Sequence, residues 1–271
     1  MQPTPRRCML SQTREMAMFL ELFHPASRQI FRGKRGDGSE YGHVFGGVSD
    51  YAGLAAFRGE PAVHLLLRLN TADPAVGVTL PGVQWLPLLC AIRYGACNLG
   101  YRVISDREVK ILHQTETKAW DGFPYDGYPD RLPSSPLVLG ERAYDPSNPR
   151  DACFYSGVFG YDALSPEQFA ALARFVVEEG IFDPDISDWE TPDSYLREGN
   201  CLPFSQGPPV DDCPDPGCPN HGRASSLRTL AIFQEGKSES RDLWGTNCGS
   251  LQIIYQICPA CSAIRTTNQC D

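Results

Sequence analysis

Cys213-Pro-Asp-Pro-Gly-Cys218-Pro-Asn-His221 and, further along the chain, Cys258-Pro-Ala-Cys261 are two closely spaced groups of potential metal ligands. A Cys-x2-Cys loop with proline after the first cysteine turns tightly enough to direct two thiolates at one ion, about 2.3 Å from each sulfur. Two such groups in one chain are typical of a tetrahedral zinc site. We therefore predict a Zn²⁺ ion held by Cys213, Cys218, Cys258 and Cys261, as a closed site with a structural role.

Other interpretations of these residues remain open. His221 is able to replace one thiolate, because Cys218-Pro-Asn-His221 contains the same short turn, and the cysteines could instead be ordinary reduced thiols. If His221 and only two or three cysteines bound the metal, an open zinc position could activate water, with Asp211 or Asp212 as general base. The chain would then be a zinc-dependent hydrolase. A deaminase is disfavoured because the sequence contains no His-x-Glu.

The signatures of several common enzyme classes are missing from the chain. It contains no His-Glu-x-x-His, no Gly-x-Ser-x-Gly and no phosphate-binding loop ending in Gly-Lys-Ser/Thr. The chain therefore lacks the motifs that usually identify metalloproteases, α/β-hydrolases and nucleotide hydrolases. We expect a binding rather than a catalytic role and assign no catalytic residues.

Length and composition indicate a globular protein rich in turns. The chain has 271 residues, 42% of them hydrophobic, and its 25 glycines and 23 prolines favour long loops over a helical bundle. We predict one globular domain of mixed α and β structure over residues 11–271, preceded by a disordered tail over residues 1–10. Within this domain, residues 200–271 form a subregion stapled by zinc.

Two segments carry helix signals. The first helix is predicted to begin at Ser11 and end near His24, because apolar residues recur at helical spacing. The second begins with Ser165-Pro166-Glu167-Gln168, which has a cap serine, a proline at the first helical position and a glutamine at the capping-box position. Gly180 supplies its left-handed stop. The apolar positions are Met16, Phe19, Leu20 and Phe23 in the first helix, and Phe169, Leu172, Ala173 and Val176 in the second.

Short apolar runs bounded by turn residues predict the strands. These runs are Val63–Leu69, Trp85–Ile92, Tyr101–Ile104, Glu108–Leu112, Leu227–Phe233 and Leu251–Ile257. The turn residues between the first two runs indicate that these two strands pair with each other. Two segments are predicted as loops, Arg32–Gly38 as a basic turn and Trp120–Arg150 as a long ordered loop packed by aromatic side chains.

Charge is distributed unevenly along the chain, whose formal net charge is −9. The segment from Asp183 to Asp215 contains nine acidic residues and one basic residue, whereas residues 1–35 contain seven basic and two acidic residues. Such an acidic segment repels nucleic acid and favours a basic protein partner through long-range attraction. The other interpretation is a solvated loop that carries charge for solubility.

A nucleic-acid-binding zinc knuckle is a further alternative. It fits the acidic segment poorly, because contacts to phosphate require lysines and arginines beside the knuckle. The available basic residues are a diffuse set: Arg223, Arg228, Lys237, Arg241 and Arg265.

Apolar runs and cysteine usage also bear on location. No apolar run of signal-peptide length follows the N-terminal segment, and the longest runs, such as Leu86–Ile92, are shorter than the roughly 20 residues of a membrane span. In a reducing cytosol, 11 cysteines indicate thiols and metal ligands rather than a disulfide scaffold. We therefore expect a cytoplasmic protein that does not associate with membranes.

Several short motifs resemble those of a known family, the YwqG-like domain family, a bacterial group of unknown function. In the N-terminal half the similar motifs are Phe45-Gly46-Gly47, Leu65-Leu-Leu-Arg-Leu-Asn70 and Leu80-Pro81, which precedes an apolar strand. In the C-terminal half, the motifs that look like the cysteine-bearing members are Gly207-Pro-Pro-Val, Thr229-Leu-Ala-Ile-Phe-Gln234 and Leu251-Gln-Ile-Ile-Tyr-Gln-Ile-Cys-Pro-Ala-Cys261.

This resemblance implies a mixed α/β fold with a curved, largely antiparallel sheet, a few helices and, as in some members, a zinc knuckle. It implies no catalytic residues. Members of the group resemble proteins found beside secreted polymorphic toxins. By this analogy, the resemblance suggests an immunity protein that neutralises a cognate toxin.

Overall fold

The computed structural model separates the chain into two compact units. It describes residues 19–24, 26–36, 40–54, 63–94, 98–114, 118–145, 147–161, 164–180, 182, 191–197, 204, 209, 211–234 and 251–270. The described residues of one unit lie within Tyr144–Pro208, and those of the other lie within Ala17–Ala143 and Pro209–Asp271. The sequence predicted one domain over residues 11–271, and the contacts of the chain divide this range in two. The tail predicted over residues 1–10 lies outside the described residues.

The larger unit is a single sheet of 11 strands. The strands are β1 (Phe19–His24), β2 (Gln29–Arg35), β3 (Val44–Phe45), β4 (His64–Asn70), β5 (Trp85–Cys90), β6 (Leu99–Ser105), β7 (Glu108–Gln114), β8 (Ser135–Glu141), β9 (Arg228–Gln234), β10 (Leu251–Ile257) and β11 (Ile264–Cys270). Their order across the sheet is β5-β4-β3-β8-β2-β1-β9-β10-β11-β6-β7. Neighbouring strands are antiparallel throughout this order.

The sheet curves until strands from its two ends meet. The hydroxyl of Tyr101 on β6 donates to the Pro87 carbonyl of β5 at 2.8 Å and accepts the Leu89 N–H at 3.1 Å. The hydroxyl of Thr266 on β11 donates to the Leu89 carbonyl at 3.0 Å. These buried bonds satisfy backbone groups of β5, which lies at the end of the strand order. The structure thus confirms a curved antiparallel sheet, in a molecule dominated by strands rather than by an even mixture of helix and strand.

The β4–β5 pair lies in the main apolar core. Side chains of β4 are buried on both faces of the sheet, which explains the continuous apolar run that predicted this strand. The register places Leu67 opposite Leu88 and Leu69 opposite Leu86, all with 0% exposure. The pairing predicted between these two strands is therefore confirmed.

The helix predicted to end at His24 is wrong over its described part, because Phe19–His24 is strand β1. This strand pairs with β2 on one side and β9 on the other. Leu20, Leu22 and Phe23 are all buried, so both faces of the strand are covered. A short apolar run fits helical spacing and a buried strand equally well, and the long-range pairing decides between them. Residues 11–18 lie outside the described part of the chain.

The smaller unit contains helices α1 (Pro149–Phe159), α2 (Pro166–Glu178) and α3 (Pro192–Arg197). The helix predicted from Ser165 is confirmed as α2, with both hydrogen bonds of the capping box. Gly180 follows it with a φ of 64°, the left-handed conformation expected of a helix stop. Leu172 and Val176 are fully buried in the small apolar cluster of this unit.

Two predicted loops contain regular structure. Residues 32–35 of the predicted basic turn belong to β2, and the predicted loop from Trp120 to Arg150 contains β8 and the first two residues of α1. Between residues 118 and 134 this segment is irregular and packed by aromatic pairs, as predicted. These pairs are Trp120–Phe123 and Tyr125–Tyr128, with ring centroids 5.6 and 5.1 Å apart.

Candidate metal centre

The first cysteine loop lies directly before β9 and consists of successive tight turns. The Cys218 N–H donates to the Asp215 carbonyl at 3.0 Å, and the His221 N–H donates to the Cys218 carbonyl at 3.0 Å. The Asp215 carboxylate closes the turn between the cysteines by accepting the Gly217 N–H at 3.0 Å. The proline- and glycine-rich sequence of this loop therefore folds into the short turns that its spacing predicted.

The second cysteine loop connects β10 to β11. Ile257 and Ile264 form the last pair of the two strands, so Cys258 and Cys261 lie in the hairpin loop between them. The Cys258 N–H donates to the Ala263 carbonyl at 2.8 Å and closes this loop. Two hydrogen-bonded strands thus fix the position of the second cysteine pair.

The four sulfur atoms form one compact cluster. The Sγ atoms of Cys213, Cys218, Cys258 and Cys261 all lie within 4.8 Å of one another. The Sγ atoms of Cys213 and Cys261 are 3.4 Å apart, and those of Cys218 and Cys258 are 3.7 Å apart. Sulfurs at the corners of a tetrahedron, about 2.3 Å from a central ion, are about 3.8 Å apart. The cluster therefore has the size and the ligands to hold a metal ion.

Hydrogen-bond donors surround the sulfurs. Cys213, Cys218 and Cys258 each accept the backbone N–H of the residue two positions further along the chain. Cys258 also accepts a hydrogen bond from the side-chain amide of Asn220, at 3.5 Å. Because such donors favour the thiolate over the thiol, they prepare the sulfurs to bind a cation.

Burial and hydrogen bonding shift the thiol pKa values in opposite directions. Burial raises the pKa of Cys213 far above its ordinary value. Burial also opposes ionisation of Cys258. The backbone N–H groups of Ala260 and Cys261, together with the side chains of Asn220 and Cys213, outweigh it and lower the pKa of Cys258 to about 7. Four neighbouring thiolates would repel one another strongly in this buried site. A bound divalent cation would remove that repulsion.

A guanidinium group lies beside the most exposed of the four cysteines. Cys261 is only partly buried, whereas the other three cysteines are buried. Arg102 of β6 forms a hydrogen bond with the Cys261 side chain and an ion pair with Asp215. Arg102 thereby connects the two cysteine loops to β6 and places a positive charge next to the Cys261 sulfur. Such outer partners orient metal ligands and tune the affinity of the site.

The two acids proposed as a general base are engaged in other contacts. Arg265 of β11 forms ion pairs with Asp211 at 3.2 Å and Asp212 at 3.4 Å. Asp212 also accepts the Gly222 N–H at 2.6 Å. His221 Nδ1 lies 2.6 Å from the Cys213 carbonyl oxygen and 3.5 Å from Asp212 Oδ2, so this nitrogen contacts oxygen atoms rather than the sulfurs. The four cysteines alone can complete a tetrahedral site, and His221 as a replacement ligand stays an alternative.

The cysteine loop also packs closely against β6 at a glycine. A Cβ atom on Gly100 would lie 2.4 Å from Cβ of Pro214, the residue that follows the first ligand, and 3.0 Å from Cβ of His113. Gly100 therefore leaves room for the first cysteine loop. Gly100 and Arg102 were not predicted from the sequence, since the sequence of a strand does not show which loop packs against it. A glycine inside a strand was the one available signal of a close backbone approach.

Most of the predicted acidic segment lies outside the described residues, including Asp183, Asp185, Asp188 and Glu190. At its C-terminal end, Asp211, Asp212 and Asp215 pair with arginines of the sheet unit. These three charges therefore support the cysteine loop. The interaction of the segment with a basic partner stays a prediction.

Cys153 differs from the cysteines of the metal centre. It lies in α1 and is disulfide-bonded, whereas the sequence was interpreted in terms of thiols and metal ligands. Cys153 is therefore distinct from the four cysteines that could hold a metal ion.

Comparisons with family models, with curated proteins and with solved structures found no match to this chain. Among the helices that the structure describes, none is both long and apolar enough to cross a membrane.

Proposed function

We propose that this chain is a protein-binding module whose sheet is stabilised by a structural zinc ion. The observation that supports this proposal is the cluster of four cysteine sulfurs within 4.8 Å of one another. Four thiolates are soft ligands, and tetrahedral coordination by four sulfurs is typical of zinc or of iron–sulfur centres. The ion would connect the loop before β9 to the loop between β10 and β11, and so join segments that are distant in sequence.

Elemental analysis of the purified protein tests the metal. We expect one zinc per chain and less than a tenth as much iron. The site would bind zinc through its cysteines and leave no ligand position open for substrate, which makes a structural role the better fit. Iron in place of zinc, or no metal above trace in protein purified without chelators, would overturn this part of the proposal.

The binding role is supported by charge. The formal net charge of −9 favours association with a basic protein, and the resemblance to the YwqG-like family suggests a toxin as that partner.

We place this function in the cytoplasm, because only reduced thiols bind the ion. The disulfide bond at Cys153 provides a test of this placement, because such bonds are rare in a reducing compartment. Mass spectrometry of protein alkylated during cell lysis shows whether this bond forms in cells.

Co-expression tests the partner. Basic proteins encoded beside this chain are produced with it, purified through a tag, and measured for a complex at low and at high salt. We expect one stable complex whose association slows as salt is raised, because long-range attraction is screened. If no neighbouring basic protein associates at low salt, the proposed binding role is wrong.

A further inference from the structure

A groove of about 430 Å³ lies in the sheet unit, on strands that carry no cysteine ligand. It extends over β2 and β8 and is bounded by the short turn that follows β4. The residues that matter here are Phe31, Leu139, Pro74, Glu40, Asp73 and Glu141. Within the described part of the chain, no lysine or arginine lines this groove.

The floor of the groove is apolar. Phe31 of β2 pairs with Glu141 of β8, and Leu139 lies opposite Gly33, so Phe31 and Leu139 project from the same face of the sheet. Both side chains pack against the main core and are only partly buried. The exposed ring of Pro74 forms part of the wall. This surface can cover an aliphatic chain but offers it no hydrogen bond.

Three carboxylates surround the floor. Glu40 and Glu141 are exposed, and Glu141 accepts a hydrogen bond from Gln29 at 3.0 Å. Asp73 is nearly buried and is held at both oxygens, by the Ala75 N–H at 2.8 Å and by His43 Nε2 at 2.8 Å. None of these donors is a lysine or an arginine.

The hydrogen bonds of His43 show which ring nitrogen donates to Asp73. His43 Nδ1 accepts the Asn70 N–H at 3.0 Å, so the proton of the ring is on Nε2, which donates to Asp73. The imidazole is therefore neutral. Two neutral donors therefore fix the position of the Asp73 carboxylate, which lines the groove.

We infer that this groove receives an arginine or lysine side chain of a basic protein partner. The aliphatic stem of such a side chain would cover Phe31 and Leu139, and its charged end would reach the carboxylates at the rim. The negative formal charge of the rim matches this occupant, and the apolar floor gives it an advantage over a free inorganic cation. This inference rests on the proposed protein-binding function and names the surface that would perform it.

Peptide titration followed by NMR tests the groove. The probe is acetyl-Gly-Gly-Arg-Gly-Gly-amide, and its control contains citrulline, which has nearly the same shape as arginine but no charge. We expect saturable shifts of the backbone amide signals of Glu40, Asp73, Ala75 and Glu141 with the arginine peptide. The citrulline peptide should bind at least about threefold more weakly, because it loses its attraction to the carboxylates.

Matched variants assign the binding to the rim. We expect Glu40→Gln and Glu141→Gln each to weaken the arginine peptide by about two- to fivefold, the effect of losing one exposed ion pair. Glu108→Gln makes the same chemical change at an exposed position of β7, outside the groove, and should leave binding unchanged.

Two results would overturn the inference. One is equal binding of the arginine and citrulline peptides, and the other is a set of shifted signals that lies outside the groove. Either result would leave the zinc site untouched, since no cysteine ligand lines the groove. Conversely, the purified protein could contain no zinc and still bind the arginine peptide. That result would overturn the proposed zinc site and support the inference about the groove.

Discussion

The β4–β5 pair and the two cysteine loops belong to the same sheet unit but are held by different interactions. In the strand pair, leucines such as Leu66, Leu67 and Leu88 have 0% exposure. In the cysteine loops, proline, glycine and aspartate dominate, and few apolar residues pack with the sulfurs: Leu112, Leu227 and Ala263. Burial of apolar surface stabilises the first region, whereas the second relies on its sulfur cluster and hydrogen bonds. A region whose sequence is too polar to form a core can still be ordered if it binds an ion.

Among the variants proposed to test this contrast, Cys258→Ser should have the largest effect on stability. The variant loses one of four ligands, and structural zinc contributes about 10–16 kcal/mol of apparent binding free energy in finger peptides. We expect loss of the bound metal and a fall in the melting temperature of about 10 °C or more. Calorimetry together with elemental analysis of the same sample measures both quantities.

Cys90→Ser is the matched control. Cys90 is fully buried at the end of β5 and is not part of the sulfur cluster. This variant should keep its metal, although it places a hydroxyl group in the core. If Cys258→Ser retains its metal and melts like the parent protein, Cys258 is not a ligand.

The pH dependence should distinguish the metal-loaded from the metal-free protein. Protons compete with the ion for the thiolates, so the loaded protein loses its metal and stability as pH falls. In the metal-free protein the sign is opposite at Cys213, because burial raises its pKa above the unfolded value of about 8.5. The contribution of Cys213 to stability is complete below that value and is lost as pH rises. Cys258, with its pKa lowered to about 7, contributes with the other sign and partly cancels this term, so loss of the ion at low pH dominates the difference. The difference between the two melting temperatures should therefore be largest near about pH 8.5 and close toward about pH 5.

Calorimetric scans of the loaded and the chelator-treated protein across this range measure the difference. A gap that stays constant from about pH 8.5 to about pH 5 would mean that thiolates do not bind the ion.

In the apolar region, Leu67→Ala should reduce stability without affecting the metal. Leu67 is fully buried opposite Leu88, and removing a buried leucine side chain typically costs about 2–5 kcal/mol. We expect this loss in the free energy of unfolding, an unchanged metal content and an unchanged response to chelators. Denaturant titration with and without a chelator checks the prediction. A loss of metal in Leu67→Ala would show that the two regions are coupled.

The contrast between the regions also explains which features could be predicted. Helix α2 was correct because its cap serine, first-position proline and final glycine are local signals. Strands β2 and β8 were missed because each contains a glycine, Gly33 or Gly140, that a local pattern assigns to a turn. Gly33 is required by packing, since a Cβ atom there would lie 2.7 Å from the Leu20 side chain on β1. That contact exists only in the folded sheet.

The candidate metal centre also combines features that local sequence predicts with features that depend on long-range packing. The spacing of the cysteines was enough to predict that these four form one site, because each pair lies within one short loop. Arg102 and Arg265 could not be assigned to the site in this way, since they come from β6 and β11. Their positions depend on the pairing of those strands, which places Arg265 opposite Gly100.

Gly100→Ala should have the smallest effect and tests how tightly the first cysteine loop packs on β6. The new methyl group would lie 2.4 Å from Pro214 Cβ, and a proline ring beside a ligand cannot rotate away. The loop must shift, so we expect a loss of about 1–3 kcal/mol and a metal affinity about tenfold weaker. Gly140→Ala is the matched control in β8, where a Cβ meets nothing within 4 Å, and it should be neutral or stabilise by up to about 1 kcal/mol. Competition with a chromogenic chelator measures the affinities. Equal metal affinity in the two variants would mean that β6 does not position the ligands.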